Sequence, residues 1–167
     1  DSYQIKTIYI DRNNFSGKLP DVEWRSERIR WFKMNENNFE GSIPDSWRTL
    51  VVDTDGNYIN VSAGSFDFSG NNLTGRLPEW GKYIGINNYE FDNNRFTFKG
   101  IGPVYDELKN RFNDKFKVNN QKPFGEPIER TMPEGETVVL NLNDYHYDGN
   151  EYQWTKNGDP VSGANSP

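Results

Sequence analysis

Apolar residues recur along the first hundred positions in a fixed frame: two apolar positions one residue apart, then two further residues and an asparagine. The copies are Ile8-x-Ile10-x-x-Asn13, Phe32-x-Met34-x-x-Asn37, Phe66-x-Phe68-x-x-Asn71 and Tyr89-x-Phe91-x-x-Asn94. Another apolar residue stands three places upstream, at Ile5, Ile29, Ala63 and Ile86. The asparagines at 13, 37, 71 and 94 are spaced by 24, 34 and 23 residues. Apolar positions two apart predict a short strand with one buried face. A unit of about 24 residues is too small to bury that face alone, so successive units are expected to stack as parallel strands. The asparagine amide both donates and accepts, so stacked copies can satisfy the backbone groups freed where the chain leaves each strand.

Three copies continue as N-x-F/L-x-G-x-I/L-P: Asn13 to Pro20, Asn37 to Pro44 and Asn71 to Pro78, with a decayed copy from Phe91 to Pro103. Frame and tail together resemble the plant-type subclass of leucine-rich repeats. The resemblance implies a leucine-rich-repeat solenoid of about four repeats, with a parallel concave sheet and a mostly non-helical convex side. Gly17, Gly41 and Gly75 are expected in a backbone turn closed to larger residues. Trp24, Trp47 and Trp80 follow the prolines at similar offsets and are expected to pack beneath the convex side.

The surplus residues between the second and third copies, 50–61, read as a hairpin cornered at Asp55-Gly56. Asp53, Asp55 and Asn57 there lack the sixth-place glycine and closing glutamate of a calcium loop, so no metal is assigned. Tyr105, Leu108 and Phe112 at i, i+3 and i+7 predict a closing helix near 103–113 that covers the end of the apolar core. The solenoid is thus expected over 1–118, entered at Asp1-Ser2-Tyr3 without a polar cap, as in a piece of a longer protein.

Residues 119–125 read as a linker, and 126–167 as β-patterned. Glu136 to Leu142 alternates with Val138, Leu140 and Leu142 on one face, and Glu151 to Gly158 reads as a strand ending in a turn. Tyr152-x-Trp154-x-Lys156-x-Gly158 resembles the central strand of immunoglobulin-like domains. At about 45 residues, against about 100 for such a domain, a partial all-β immunoglobulin-like sandwich is expected. Open edges in so short a β unit make an exchange dimer a possible partner state.

Plant-like repeats, the closing segment Phe96 to Ile101, Pro123-Phe124-Gly125-Glu126-Pro127 and a cysteine-free Tyr-x-Trp-x-Lys-x-Gly unit together resemble the leucine-rich-repeat plus immunoglobulin-like surface proteins of Bacteroidetes and related bacteria. That resemblance implies export and a secreted or cell-surface location, with adhesion or ligand recognition as the role.

Charge changes the picture in one respect. Residues 1–122 are balanced, whereas 123–167 hold 2 basic and 8 acidic side chains and account for the whole net charge of -6, which argues against a nucleic-acid partner. The absence of cysteine excludes disulfides, thiolate metal sites and cysteine nucleophiles. No apolar run reaches the roughly 20 residues needed to span a bilayer, so this chain is not expected to insert in a membrane. His146 stands alone within Asp144-Tyr145-His146-Tyr147-Asp148, and the sequons at Asn14, Asn60 and Asn72 are largely by-products of the repeat.

Outward strand positions should align in three rows: Thr7-Trp31-Ser65-Asn88, Tyr9-Lys33-Asp67-Glu90 and Asp11-Asn35-Ser69-Asp92. Tyr9 and Trp31 then make an exposed aromatic corner, with a protein or glycan ligand expected across Tyr9, Asp11, Trp31, Lys33, Asp67, Glu90 and Asp92. The other use of the corner is internal, the two rings packing on each other. An ion pair between Lys33 and Asp67 is expected beside it. The reading is a non-catalytic recognition or adhesion module with no cofactor. The alternatives are an architectural spacer without a ligand and, more distantly, a carbohydrate-active enzyme using Asp67 and Glu90.

Overall fold

The computed structural model describes residues 5–24, 29–50, 55, 57, 64–80, 87–123, 129, 131–141, 147, 148 and 150–167. The chain divides into two compact units, Asp1–Phe124 and Gly125–Pro167. Parallel β-sheets dominate the first, and helices are few.

Each apolar pair forms a strand, as the alternation requires: β1 (Thr7–Tyr9), β3 (Trp31–Lys33), β5 (Ser65–Asp67) and β7 (Asn88–Glu90). They pair in parallel in the order β1-β3-β5-β7-β8, where β8 is Phe116–Lys117. The tails of the first three copies make a second parallel sheet that the sequence reading did not anticipate: β2 (Ser16–Lys18), β4 (Asn38–Ser42) and β6 (Asn72–Thr74). Gly17, Gly41 and Gly75 stand at φ of +87°, +75° and +80° in these tails, a left-handed conformation that side-chain-bearing residues rarely adopt.

Between the sheets lies an aromatic core. Phe32, Phe66, Phe68, Tyr89 and Phe91 are buried from the strand side, and Trp47 and Trp80 from the tail side. Trp47 stacks on Phe32 (5.5 Å between centroids, 22°) and donates its indole N–H to Pro20 O (2.8 Å). Trp80 meets Phe66 edge-on at 5.5 Å. Trp24 is half-buried against Phe32 and Trp47.

The register is fixed by side-chain amides. Asn71 Nδ2 donates to Met34 O (3.0 Å), Phe68 O (3.2 Å) and Ser69 O (3.2 Å), and its Oδ1 accepts the Phe39 N–H (3.1 Å). Asn94 repeats this with Phe68 O, Phe91 O, Asp92 O and the Leu73 N–H, and Asn37 with Ile10 O, Met34 O, Asn35 O and the Phe15 N–H. The residue just before each rung is left-handed: Arg12, Glu36, Gly70 and Asn93. That turn tips the preceding carbonyls toward the amide.

A fifth rung follows. Gln121 Nε2 donates to Phe91 O, Val118 O and Asn119 O, Gln121 Oε1 accepts the Phe96 N–H (3.0 Å), and the preceding Asn120 is again left-handed. Residues 119–122, read from sequence as the start of a linker, therefore belong to the stacked array. The position two past each rung, held by Phe15, Phe39, Leu73 and Phe96, is Pro123 in the last copy, which has no N–H to satisfy. Lys122 secures this end by donating from Nζ to Asn71 O (2.5 Å) and Asn72 Oδ1 (3.1 Å). Burial, and secondarily the Arg95 guanidinium, hold its ammonium below the usual lysine range.

The helix α1 runs from Phe98 to Phe112, starting five residues before the expected 103. The first turn forms on the Thr97 carbonyl, which accepts from the Gly100 and Ile101 N–H groups, so Pro103 falls inside the helix instead of opening it. Gly100 permits this start, since a Cβ there would lie 1.9 Å from Gly75 O. The buried stripe is Ile101, Val104, Leu108 and Phe112; Tyr105, expected on it, is exposed at its margin against Phe116. Asp45–Leu50 forms a 3-10 helix that buries Trp47 and Leu50. The expected hairpin at 50–61 lies outside the described residues apart from Leu50, Asp55 and Asn57, as do the upstream apolar slots Ala63 and Ile86 and the lone His146.

In the second unit the described strands are β9 (Thr155–Lys156) and β10 (Asp159–Pro160), antiparallel around Asn157-Gly158, both at positive φ as a tight two-residue hairpin turn requires. Trp154, half-buried, donates from Nε1 to Ser166 O (2.8 Å) and exchanges backbone bonds with Val161 and Ala164. The strand expected over 136–142 does not form: residues 131–141 are all exposed and unpaired into any ladder, with Leu142 outside the described residues. Alternation supplies an apolar face, but without a neighbouring strand among the described residues no backbone group is satisfied by extension.

Two outcomes follow. Asn71→Ala should cost about 1–3 kcal/mol in urea unfolding, because it orphans the Phe39 N–H and removes one of the two donors on each of Met34 O, Phe68 O and Ser69 O, whereas Asn13→Ala, at the exposed end, should cost less than about 1 kcal/mol. Lys122 ionises below 10.5, its ordinary value, in the folded state, so as pH rises toward 10.5 the folded protein sheds this proton before the unfolded chain does. Stability relative to Lys122→Met should therefore rise with pH across that alkaline window; a flat or falling difference would contradict it.

Candidate functional site

The five-stranded sheet has one face on the aromatic core and one away from it. Pairing places Thr7 opposite Trp31, Trp31 opposite Ser65 and Ser65 opposite Asn88, then Tyr9 opposite Lys33, Lys33 opposite Asp67 and Asp67 opposite Glu90. These are the rows given by aligning the repeats. β8 extends the second row by Lys117, opposite Glu90. The third row is joined by backbone bonds from Arg12 to Asn35, Glu36 to Ser69, and Gly70 to Asp92.

The two ends of this face differ chemically. At the β1–β3 end Tyr9 is 56% and Trp31 38% exposed. The expected alternative, that the two rings pack on each other, is not what is found: among the described residues they form no ring pair. Instead Lys33 Nζ lies over the Tyr9 ring, 5.4 Å from its centroid, a cation–π contact. Lys33 is thereby turned from Asp67, and the ion pair expected between them is absent. Asp11 is half-buried in the next row, beside Asn35, whose Oδ1 is buried without a partner among the described residues.

At the β5–β8 end the carboxylates are engaged internally. Asp67 Oδ1 accepts from the Ser69 N–H (3.0 Å) and hydroxyl (2.6 Å). Glu90 accepts from Asn88 Nδ2 at Oε1 (2.9 Å) and pairs with Lys117 at Oε2 (3.2 Å). Asp92 Oδ1 accepts the Asn119 N–H (2.5 Å). Asp67, Glu90 and Asp92, expected from sequence among the ligand-binding residues, are thus carboxylates each tied to its own strand or to the fifth copy. Lys117 and Asn119 are the residues missed, and Ser69, placed in the third row, was not foreseen as the partner of Asp67. The signal for Lys117 and Asn119 was present in Phe116-x-Val118-x-x-Gln121, the repeat frame with glutamine in place of asparagine.

No described group of three histidine, cysteine or carboxylate side chains is arranged to hold a metal ion. No described helix is long and apolar enough to cross a membrane. An open depression of ≈ 540 Å³ on the tail side is lined by Lys18, Asp21, Ser42, Asp45, Ser46 and Arg76 among others. Two of its charges are already used, Asp21 by the Ser46 hydroxyl (2.6 Å) and Arg76 by Glu79 (3.1 Å). Comparison with models of protein families, with curated proteins and with solved structures finds no match to the chain.

Proposed function

We propose that the chain is a non-catalytic recognition module: a leucine-rich-repeat solenoid followed by a partial immunoglobulin-like unit, displayed outside the cell, that binds its ligand on the concave face of the repeats. The observation that carries this reading is the pair Tyr9 and Trp31, large rings left exposed on a diagonal across β1 and β3, on a sheet whose other face buries every aromatic it carries. Exposed aromatics of this size are dominant contributors to binding surfaces, and leaving them in water gains the fold nothing. The family reading rests on the repeat frame, the parallel stacking and the rungs that close it. The immunoglobulin-like reading rests on the Tyr152-x-Trp154-x-Lys156-x-Gly158 motif and its hairpin.

A two-carboxylate hydrolytic role gains no support from the geometry, since Glu90 has both oxygens occupied and Asp67 is folded back on Ser69. The spacer reading differs from recognition in predicting no ligand.

The test is a screen of glycans and proteins with the intact chain beside the Tyr9→Ala/Trp31→Ala double variant. Recognition predicts a bound ligand that the double variant loses while its unfolding midpoint stays close to that of the parent, because both rings are exposed. A screen with no ligand would put the spacer reading ahead.

A further inference from the structure

We infer that the ligand of this face is a carbohydrate chain, one sugar ring of which sits on the Tyr9–Trp31 corner; this rests on the recognition reading above.

The chemistry of the corner carries the assignment. Trp31 and Tyr9 stand diagonally across β1 and β3, with Thr7 and Lys33 filling the other two positions of the tile. The apolar surface is therefore broken at each step by a hydrogen-bonding group, which suits no continuous apolar side-chain cluster of a protein. A pyranose has the matching character: a C–H face that stacks on an indole or phenol, and an edge of hydroxyls that both donate and accept. Lys33 Nζ, with no carboxylate partner among the described residues, supplies donors on that edge. Asp11, two residues beyond Tyr9 in the strand direction, supplies acceptors. The other candidate surface, the depression beside Lys18 and Arg76, offers no aromatic ring, and two of its charges are engaged, Asp21 by the Ser46 hydroxyl and Arg76 by Glu79.

The experiment is isothermal titration of the intact chain with a panel of soluble neutral and uronate-containing polysaccharides, repeated on Trp31→Ala, Trp31→Tyr, Lys33→Met and Phe15→Ala. Phe15, exposed on the tail side, is the control for loss of any exposed ring. The inference predicts binding of at least one polysaccharide that weakens by about tenfold or more in Trp31→Ala and Lys33→Met, is largely kept by Trp31→Tyr and is unchanged by Phe15→Ala. Polysaccharide binding indifferent to Trp31→Ala overturns the inference by moving the site elsewhere. A protein ligand lost with Trp31→Ala, and no polysaccharide bound, overturns the carbohydrate assignment and leaves the recognition reading standing. No ligand of either kind overturns both.

Discussion

A side-chain amide that collects three backbone carbonyls and returns one oxygen to a backbone N–H is the constraint on which the first unit depends. Where each strand ends, a left-handed residue at 12, 36, 70, 93 or 120 turns the chain and aims carbonyls of two successive copies, such as Met34 O and Phe68 O, at one side-chain amide. Inside a dry core those groups would each cost about 1–3 kcal/mol unpaired. The rung satisfies them together, and because it takes a carbonyl from the neighbouring copy it locks adjacent copies in one register. Register in turn decides which side chains face the core, since a slip of one residue would exchange Phe32, Phe66 and Tyr89 with the polar positions beside them.

The same register composes the outer face. It brings Tyr9 beside Lys33 and Trp31 beside Thr7, and it delivers Lys117 to Glu90 and the Asn119 N–H to Asp92. The face is therefore polarised: side chains at the β5–β8 end are committed to one another, while those at the β1–β3 end keep rings and charge available. A partly exposed ion pair such as Lys117 with Glu90 contributes little stability, about 1 kcal/mol, so its main consequence is to occupy a carboxylate on the outer face.

Much of this was legible in the sequence for physical reasons. Apolar positions two apart at Ile8/Ile10 or Phe66/Phe68 have one structural use, a strand with one buried face, and the fixed offset to asparagine aligns the copies without ambiguity. The fifth copy was not legible because three features hid it: glutamine in the rung, the 27-residue interval from Asn94 to Gln121, and a helix in place of the usual tail. The start of α1 was misplaced because Pro103 resembles a helix opener, whereas the space at Gly100 against Gly75 lets the helix begin earlier. Residues 136–142 show the opposite failure, in which alternation described a face for which the described chain offers no partner strand. At the site, alignment gave the neighbours correctly but not the side-chain choices: Lys33 takes the Tyr9 ring and Asp67 the Ser69 hydroxyl, preferences that strand spacing does not contain.

The most direct test of the rung account is amide hydrogen exchange at Phe96, whose N–H is held by the side chain of Gln121 twenty-five residues away. The account predicts that this amide is strongly protected in the parent chain, alongside Phe39 and Leu73, and that Gln121→Ala releases Phe96 while leaving Phe39 and Leu73 slow. Rapid exchange at Phe96 in the parent, or protection unchanged in Gln121→Ala, would contradict it and return residues 119–122 to a linker.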